Sequence, residues 1–394
     1  MFIEPDDLRF LSKGQPPQSD ELLQQMTLGR EIWLDYIHDR YLKNYIAQGG
    51  SKVKLLVGGQ GTGKTHLLRV VLADGKKLGY QTVYLSARQC SLHDLVGLYQ
   101  EIAKQVVNED LVRGLCRWVA WEISKTKAKD YDGSGVFVSK IYDEYPSPTL
   151  ASEHISKTAS KMIKETDLIS SFKAFAYQVV RYRMINYSPA NIESVCRWLM
   201  GQPLERQDRE TFCLFEKLNK TNARDWLNSL ILLSKFAGRE GLIIAIDDLE
   251  VITEKVHGNR YKFTKKQVDD ICELVRQIID DTEILRSCFF LLSGRREIIA
   301  DHPRSFRSYD ALWIRLQTGL ADYQRFNPFA DLVDVDKHLG AQGKTFGKEV
   351  FAKLKNLLSN AKLGEIQPPE NYRSSTSELQ QMVIDAVCER RGYS

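Results

Sequence analysis

Apolar positions along the chain alternate between two spacings. Short, nearly continuous apolar runs at 53–57, Thr82–Leu85, Leu242–Ile246 and Cys288–Leu292 read as strands buried on both faces. Between them apolar residues recur every three to four positions, as over 64–78. Over 265–281, Val268, Ile271, Val275 and Ile278 share one helical face. The first strand, its helix and the second strand, bounded by Gly79 and Ser86, form a βαβ unit and predict a parallel sheet. Leu332-Val333-Asp334-Val335 is a candidate fifth strand.

The intervening chain behaves differently. From about 91 to 235 the pattern is helical with few strand signals, broken at 130–135 and at Pro146-Ser147-Pro148. Residues 1–20 read as an extended polar leader containing Pro16-Pro17, and 20–48 as helix. The tail past 340 reads as helical and polar, broken near Gln367-Pro368-Pro369. The predicted division is therefore a leader and helix over 1–50 and a core from 51–90 with 236–335. A helical insertion occupies 91–235, and a helical C-terminal region 336–394.

The link between first strand and helix carries the chemistry. Gly58-Gly59-Gln60-Gly61-Thr62-Gly63-Lys64-Thr65 fits the phosphate-loop pattern G-x-x-x-x-G-K-[ST]. Glycines at 58, 59, 61 and 63 allow positive φ, so that backbone N–H groups turn inward around an anion. Lys64 then reaches the β- and γ-phosphates, Thr65 ligates Mg²⁺, and the helix opening at His66 points its N-terminus at the anion. The predicted nucleotide contacts are thus the loop 58–65 with His66, and the cofactors are ATP and Mg²⁺.

A phosphate loop needs an acidic counterpart. The strand 242–246 ends in Asp247-Asp248, placing Asp247 to hold the metal. Asp248, or Glu250 two residues on, would orient the attacking water. An aspartate at 248 reaches one methylene less far than glutamate, which predicts slow turnover. The strand 288–292 ends at Ser293, suited to sensing the γ-phosphate. Arg295 follows to stabilise charge on the transferring phosphoryl group; Arg296, Arg304, Arg307 and Arg315 are further arginines of interest.

Composition narrows the class without deciding it. The chain has 394 residues, 43% hydrophobic and 27% charged, with a net charge of +4, too small by itself to indicate a nucleic-acid partner. Seven scattered cysteines without a C-x-x-C pair read as reduced thiols in a cytoplasmic protein. The N-terminus lacks the pattern of a signal peptide, and no apolar stretch approaches about 18 residues, so no membrane association is expected.

Gly29-Arg30-Glu31, the loop at 58–65, Asp247-Asp248 and Ser293-Gly294-Arg295 together resemble the AAA+ and STAND class of P-loop ATPases, near the origin-recognition and helicase-loader branch. The resemblance implies an additional-strand parallel sheet and assigns Arg30 to the nucleotide base. Chain length, the Gly-Arg-Glu spacing and Ser308-Tyr309-Asp310-Ala311-Leu312-Trp313-Ile314-Arg315-Leu316 are also similar to the small ATP-binding proteins of BREX-type bacterial phage-defence islands. That likeness implies a homo-oligomer or a complex with other defence-system proteins. Asp-Asp-Leu-Glu stands where active AAA+ members usually carry Asp-Glu.

The insertion interleaves basic and aromatic residues: Arg113, Arg117, Lys125, Lys127 and Lys129 around Trp118 and Trp121. Further on are Lys157, Lys161, Lys164, Lys173, Arg181 and Arg183 with Phe172, Phe175, Tyr177 and Tyr182. Such a pattern suits double-stranded DNA and equally suits helices with an aromatic core face and a basic solvated face. The expectation is an AAA+-type ATPase that acts as a nucleotide-dependent switch or assembly factor in phage defence, associated with DNA. One alternative is a non-catalytic ATP-binding scaffold. Another is a P-loop phosphotransferase, a class that usually pairs its acidic strand directly with the phosphate-loop strand.

Overall fold

The apolar runs become a sheet because alternate side chains find cover on both sides. The computed structural model describes residues 5–90, 92–256, 260–317, 330–340 and short pieces within 348–359. In it β1 (Ser51–Gly58), β2 (Gln81–Ser86), β3 (Leu242–Asp247), β6 (Cys288–Arg295) and β7 (Leu332–Asp334) form one five-stranded sheet in the order β2-β3-β6-β1-β7. Every pairing in it is parallel. β4 (Lys255–Val256) and β5 (Arg260–Tyr261) form a separate antiparallel hairpin.

Period-two alternation explains the layering. Val53, Leu55, Val57, Ile244, Ile246, Phe290 and Leu292 join the core shared with the helices of 95–236 and Lys265–Asp280. Leu56, Ile243, Ala245, Phe289 and Leu291 face the opposite way, against the phosphate-loop helix Lys64–Lys77 and the helices of 30–46. Gly75 permits the close approach on that side, since a Cβ there would lie 2.2 Å from Ile243 Cδ1. Apart from Lys54 in β1 and Ser293 in β6, the buried positions of β1, β3 and β6 between their ends are apolar because helices cover both faces.

β6 lies between β1 and β3, so the acidic strand does not pair with the phosphate-loop strand. This is the additional-strand arrangement expected of an AAA+-like core. It differs from the direct pairing usual in P-loop phosphotransferases. β6 runs three residues longer than its apolar run, to Arg295, because Ser293 and Gly294 continue the ladder with Leu56 and Val57.

The leader departs from expectation. Pro5–Leu11 is helical, and Asp7, 2% exposed, accepts from the N–H groups of Gln18 (2.6 Å) and Ser19 (3.1 Å). One buried carboxylate thus folds the leader back on itself. The helix expected over 20–48 is interrupted: Asp20–Met26 ends at Thr27, and Gly29, at φ 63°, opens Arg30–Tyr36, which continues as a π-helix over Ile37–Ile46. Most of the helical C-terminal region expected over 336–394 lies outside the described residues.

In the helical stretch the aromatic residues build the core. Trp226, fully buried, meets Trp198 at 4.6 Å, Phe172 at 5.2 Å and Tyr99 at 5.5 Å between ring centroids. Phe175 is fully buried and Tyr182 nearly so, while Trp118 stacks on Phe236. Arg183 is buried and pairs with Glu109 at 2.7 Å. The buried side chains among these are committed to packing, whereas Trp121 of the basic-aromatic set is 49% exposed.

Candidate functional site

β1 delivers the loop 58–65 to the helix Lys64–Lys77, and the loop's turn is made by two glycines. Gly61 and Gly63 sit at φ 79° and 81°, left-handed values that side chains disfavour. Gly58 and Gly59 do not take positive φ, contrary to expectation. A Cβ at Gly58 would come within 3.0 Å of Thr62 Oγ1 and 3.1 Å of Asp336 Oδ1, so space is the requirement there. Lys64, 9% exposed, donates from Nζ to the carbonyls of Gly58 (3.1 Å) and Gly59 (2.7 Å). Burial pushes its pKa down, against the opposing pull of Glu250, Asp247 and Asp336.

Asp247 ends β3 beside this loop, 3% exposed. Thr65 Oγ1 donates to its Oδ2 at 2.6 Å, and Tyr84 from β2 donates to the same oxygen at 3.0 Å. The Ser293 hydroxyl and the Asp248 N–H (2.9 Å) satisfy Oδ1. Four donors, from β2, β6, the phosphate loop and the residue after β3, therefore fix one carboxylate. Ser293 is fully buried and turned to Asp247, and it does not line the cleft. The expected sensor of the γ-phosphate, Ser293, thus stands behind Asp247 and supports that carboxylate.

The next residue is strained. Asp248 adopts φ 63° and ψ 30°, a left-handed conformation that aspartate tolerates better than most residues. Its carboxylate accepts from Ser86 Oγ at 2.6 Å and lies 3.3 Å from Arg88 Nε. Glu250, 6% exposed, accepts from the Arg295 N–H at 3.2 Å, and its Oε1 lies 3.3 Å from Arg295 Nε and 3.1 Å from Arg88 Nη2. Arg88 also takes Glu254 through both terminal nitrogens at 2.5 Å. That contact raises the Arg88 pKa and lowers that of Glu254.

On the far side of the loop, the Gly59 N–H donates to both oxygens of Asp336 (3.0 and 2.9 Å). Arg296 binds Asp336 at 3.0 Å and Asp334 at 2.7 Å, so it braces β7 and points away from the cleft. Arg315 pairs with Asp280, Arg304 donates to the Phe263 carbonyl, and Arg307 lies over Trp313. Arg30 is likewise occupied: it binds Asp74 at 2.6 Å, Gln24 at 2.8 Å and Asp35 at 3.1 Å. Arg30 braces the phosphate-loop helix, and its neighbours Leu28, Gly29 and Trp33 line the cleft in its place. His66 lines the cleft too and bonds Thr27 Oγ1 at 2.9 Å.

The resulting cleft, about 910 Å³, is lined by two chemically distinct sets of residues. One set is the loop with Asp247, Asp248, Glu250 and Arg295; the other is Leu11, Pro16, Pro17, Leu28 and Trp33. The first set suits a polyanion and the second a flat heterocycle. Thr65 and Asp247 supply one hydroxyl and one carboxylate, a sparse set suited to Mg²⁺ that keeps water and phosphate oxygens. The sequence reading missed Tyr84, Ser86, Arg88 and Asp336. All lie in or just beyond strands of the parallel sheet, toward the carboxyl ends where such sheets bind ligands.

Among the described residues no helix is long and apolar enough to cross a membrane. The family model for the BREX system ATP-binding protein BrxC/D matches residues 8–339. No curated protein and no solved structure matches the chain.

Proposed function

The chain belongs to the family of ATP-binding proteins of the BREX phage-defence system, BrxC/D, and from that premise we propose that it hydrolyses Mg-ATP slowly as a DNA-associated switch or assembly factor. The observation carrying this reading is the 2.6 Å bond between Thr65 of the phosphate loop and Asp247 of β3. It supports reading the two residues as a metal-binding pair at the loop's mouth.

In this reading Lys64 leaves the loop carbonyls for the β- and γ-phosphates, and Thr65 with Asp247 holds Mg²⁺. Ser293 and Tyr84 orient Asp247, and Asp248 or Glu250 positions the water. Arg295, beside Glu250, meets the charge that develops on the transferring group. Bound magnesium would neutralise phosphate charge. The protein would contribute alignment and exclusion of bulk water. Leu28 and Trp33 would seat the base. Two nucleotide states would change assembly, by homo-oligomerisation or with other defence proteins, and engagement of DNA.

One observation favours a non-catalytic scaffold instead: Arg88 engages both Asp248 and Glu250. Phosphate release, measured against protein concentration with and without DNA, separates the two. We expect Lys64→Ala to lose both ATP binding and release. Of Asp248→Asn and Glu250→Gln, the one that removes the water-positioning group should cut turnover at least about tenfold with ATP affinity retained. Equal turnover in both variants and the unmodified chain would establish the scaffold.

A further inference from the structure

The acidic turn leads directly into a cationic one. Between Glu254 and Asp269 every charged residue is basic: Lys255, Arg260, Lys262, Lys265 and Lys266. All five are exposed, and Arg307 is exposed nearby in sequence to Arg304, which packs on the hairpin. Lys255–Val256 and Arg260–Tyr261 pair outside the main sheet. Two residues per strand bury too little apolar surface to justify such a ribbon by core packing. The guanidinium of Arg304 lies 4.0 Å from the Tyr261 ring centroid and Lys255 Nζ lies 5.3 Å from it, so one ring gathers two cations. Lys265 pairs with Asp269 at 2.9 Å.

The hairpin is wired to the cleft. Glu254, its root, receives the Lys262 N–H on its carbonyl at 3.0 Å and Arg88 on its carboxylate at 2.5 Å. Arg88 in turn lies 3.3 Å from Asp248 and 3.1 Å from Glu250. Lys262 Nζ reaches the Arg88 carbonyl at 3.4 Å. Anything that moves this ribbon therefore pulls on the guanidinium holding both candidate water-positioning acids.

We propose that Lys255, Arg260, Lys262, Lys265 and Lys266 bind the sugar-phosphate backbone of duplex DNA and that Glu254–Arg88 transmits this contact to the ATP site. The proposal deepens the DNA-associated ATPase reading, rests on it, and moves the DNA contact from the helical insertion to the hairpin. An acidic protein partner fits less well. Val256 is the large apolar residue this ribbon exposes, at 48%, and protein interfaces need a larger apolar centre. Cations on the hairpin and at the start of the following helix Lys265–Asp280 can match the regular charge of a phosphate backbone.

The test uses the full chain and a labelled DNA duplex of about 20 base pairs, followed by anisotropy between about 50 and 200 mM salt. The variant combining Lys255→Glu, Arg260→Glu and Lys266→Glu should bind DNA more than tenfold more weakly. Its log affinity against log salt should be shallower by about 2 to 3, with affinity for a fluorescent ATP analogue unchanged. Glu254→Gln should keep DNA affinity but lose the response of ATP turnover to DNA. DNA binding by the triple variant equal to that of the unmodified chain overturns the proposal. So does polyglutamate that displaces DNA at equal charge concentration, which would reassign the ribbon to an acidic protein. If the unmodified chain fails to bind the ATP analogue, the nucleotide reading falls, while the hairpin is still judged by its own anisotropy.

Discussion

The phosphate-loop sheet and the helical stretch of 95–236 carry equally suggestive patterns, and only in the first do most of the singled-out residues meet in one cleft. The loop is one covalent run in which each residue's distance from the next is fixed, and the acids follow directly on their strand. Lys64, Thr65, Asp247, Asp248, Glu250 and Arg295 accordingly line one cleft. The basic-aromatic pattern of the helices constrains only which residues share a face. Phe172, Phe175 and Tyr182 use that face for packing. Fixed spacing specifies a constellation, whereas helical recurrence specifies an apolar side and leaves its use open.

Removing the ring at the centre of the second region should give the largest effect. Trp226→Ala should destabilise by about 3–5 kcal/mol in thermal or denaturant unfolding, because Trp226 is fully buried among Tyr99, Phe172 and Trp198. ATP affinity measured well below the transition should stay within a few-fold. A tenfold loss of affinity in the folded variant would show that the two regions are not separable. Asp247→Asn tests the first region in the opposite sense. It should leave the melting temperature within a few degrees and cut phosphate release about 100-fold. Retention of more than a tenth of the activity would place the metal elsewhere.

Asp336→Asn should have a smaller effect, because it weakens a brace rather than a ligand. The Gly59 N–H would lose part of a charge-assisted bond, and nucleotide affinity should shift a few-fold by titration calorimetry. No shift would show that the loop holds its shape without β7. The smallest effect is the pH response of His66, whose pKa is pushed down to about 4 by burial and by the charges of Arg69 and Lys353. The unfolded chain, near the ordinary value of about 6.5, protonates first, so stability is kept above that pH and lost as it falls toward 4. His66→Gln should remove that loss. Between pH 7.5 and 5 its melting temperature should fall about 2–4 °C less than that of the unmodified chain.

Much of the fold was legible because buried parallel strands and amphipathic helices leave different apolar periods. Even the edge strand Leu332–Asp334 was visible in this way. The site was legible where a motif crowds its residues together. Arg88 and Asp336 were not, since a lone arginine after β2 and a lone aspartate after β7 carry no spacing signal. Arg30 was placed on the base by resemblance, but Asp74, 44 residues on, claims its guanidinium. The leader was misread because its polar composition hides Asp7, whose buried carboxylate organises the turn.

The sequence alone determined a nucleotide-binding loop, an acidic strand end and a sheet with helices on both faces. Those follow from local spacing and hydrophobic period. Only the tertiary structure decided that Thr65 meets Asp247 across 182 residues of chain, that Ser293 stands behind that carboxylate, and that a cationic hairpin shares Arg88 with the cleft. Strand order and register bring those groups together, and both arise from long-range packing that no local pattern encodes.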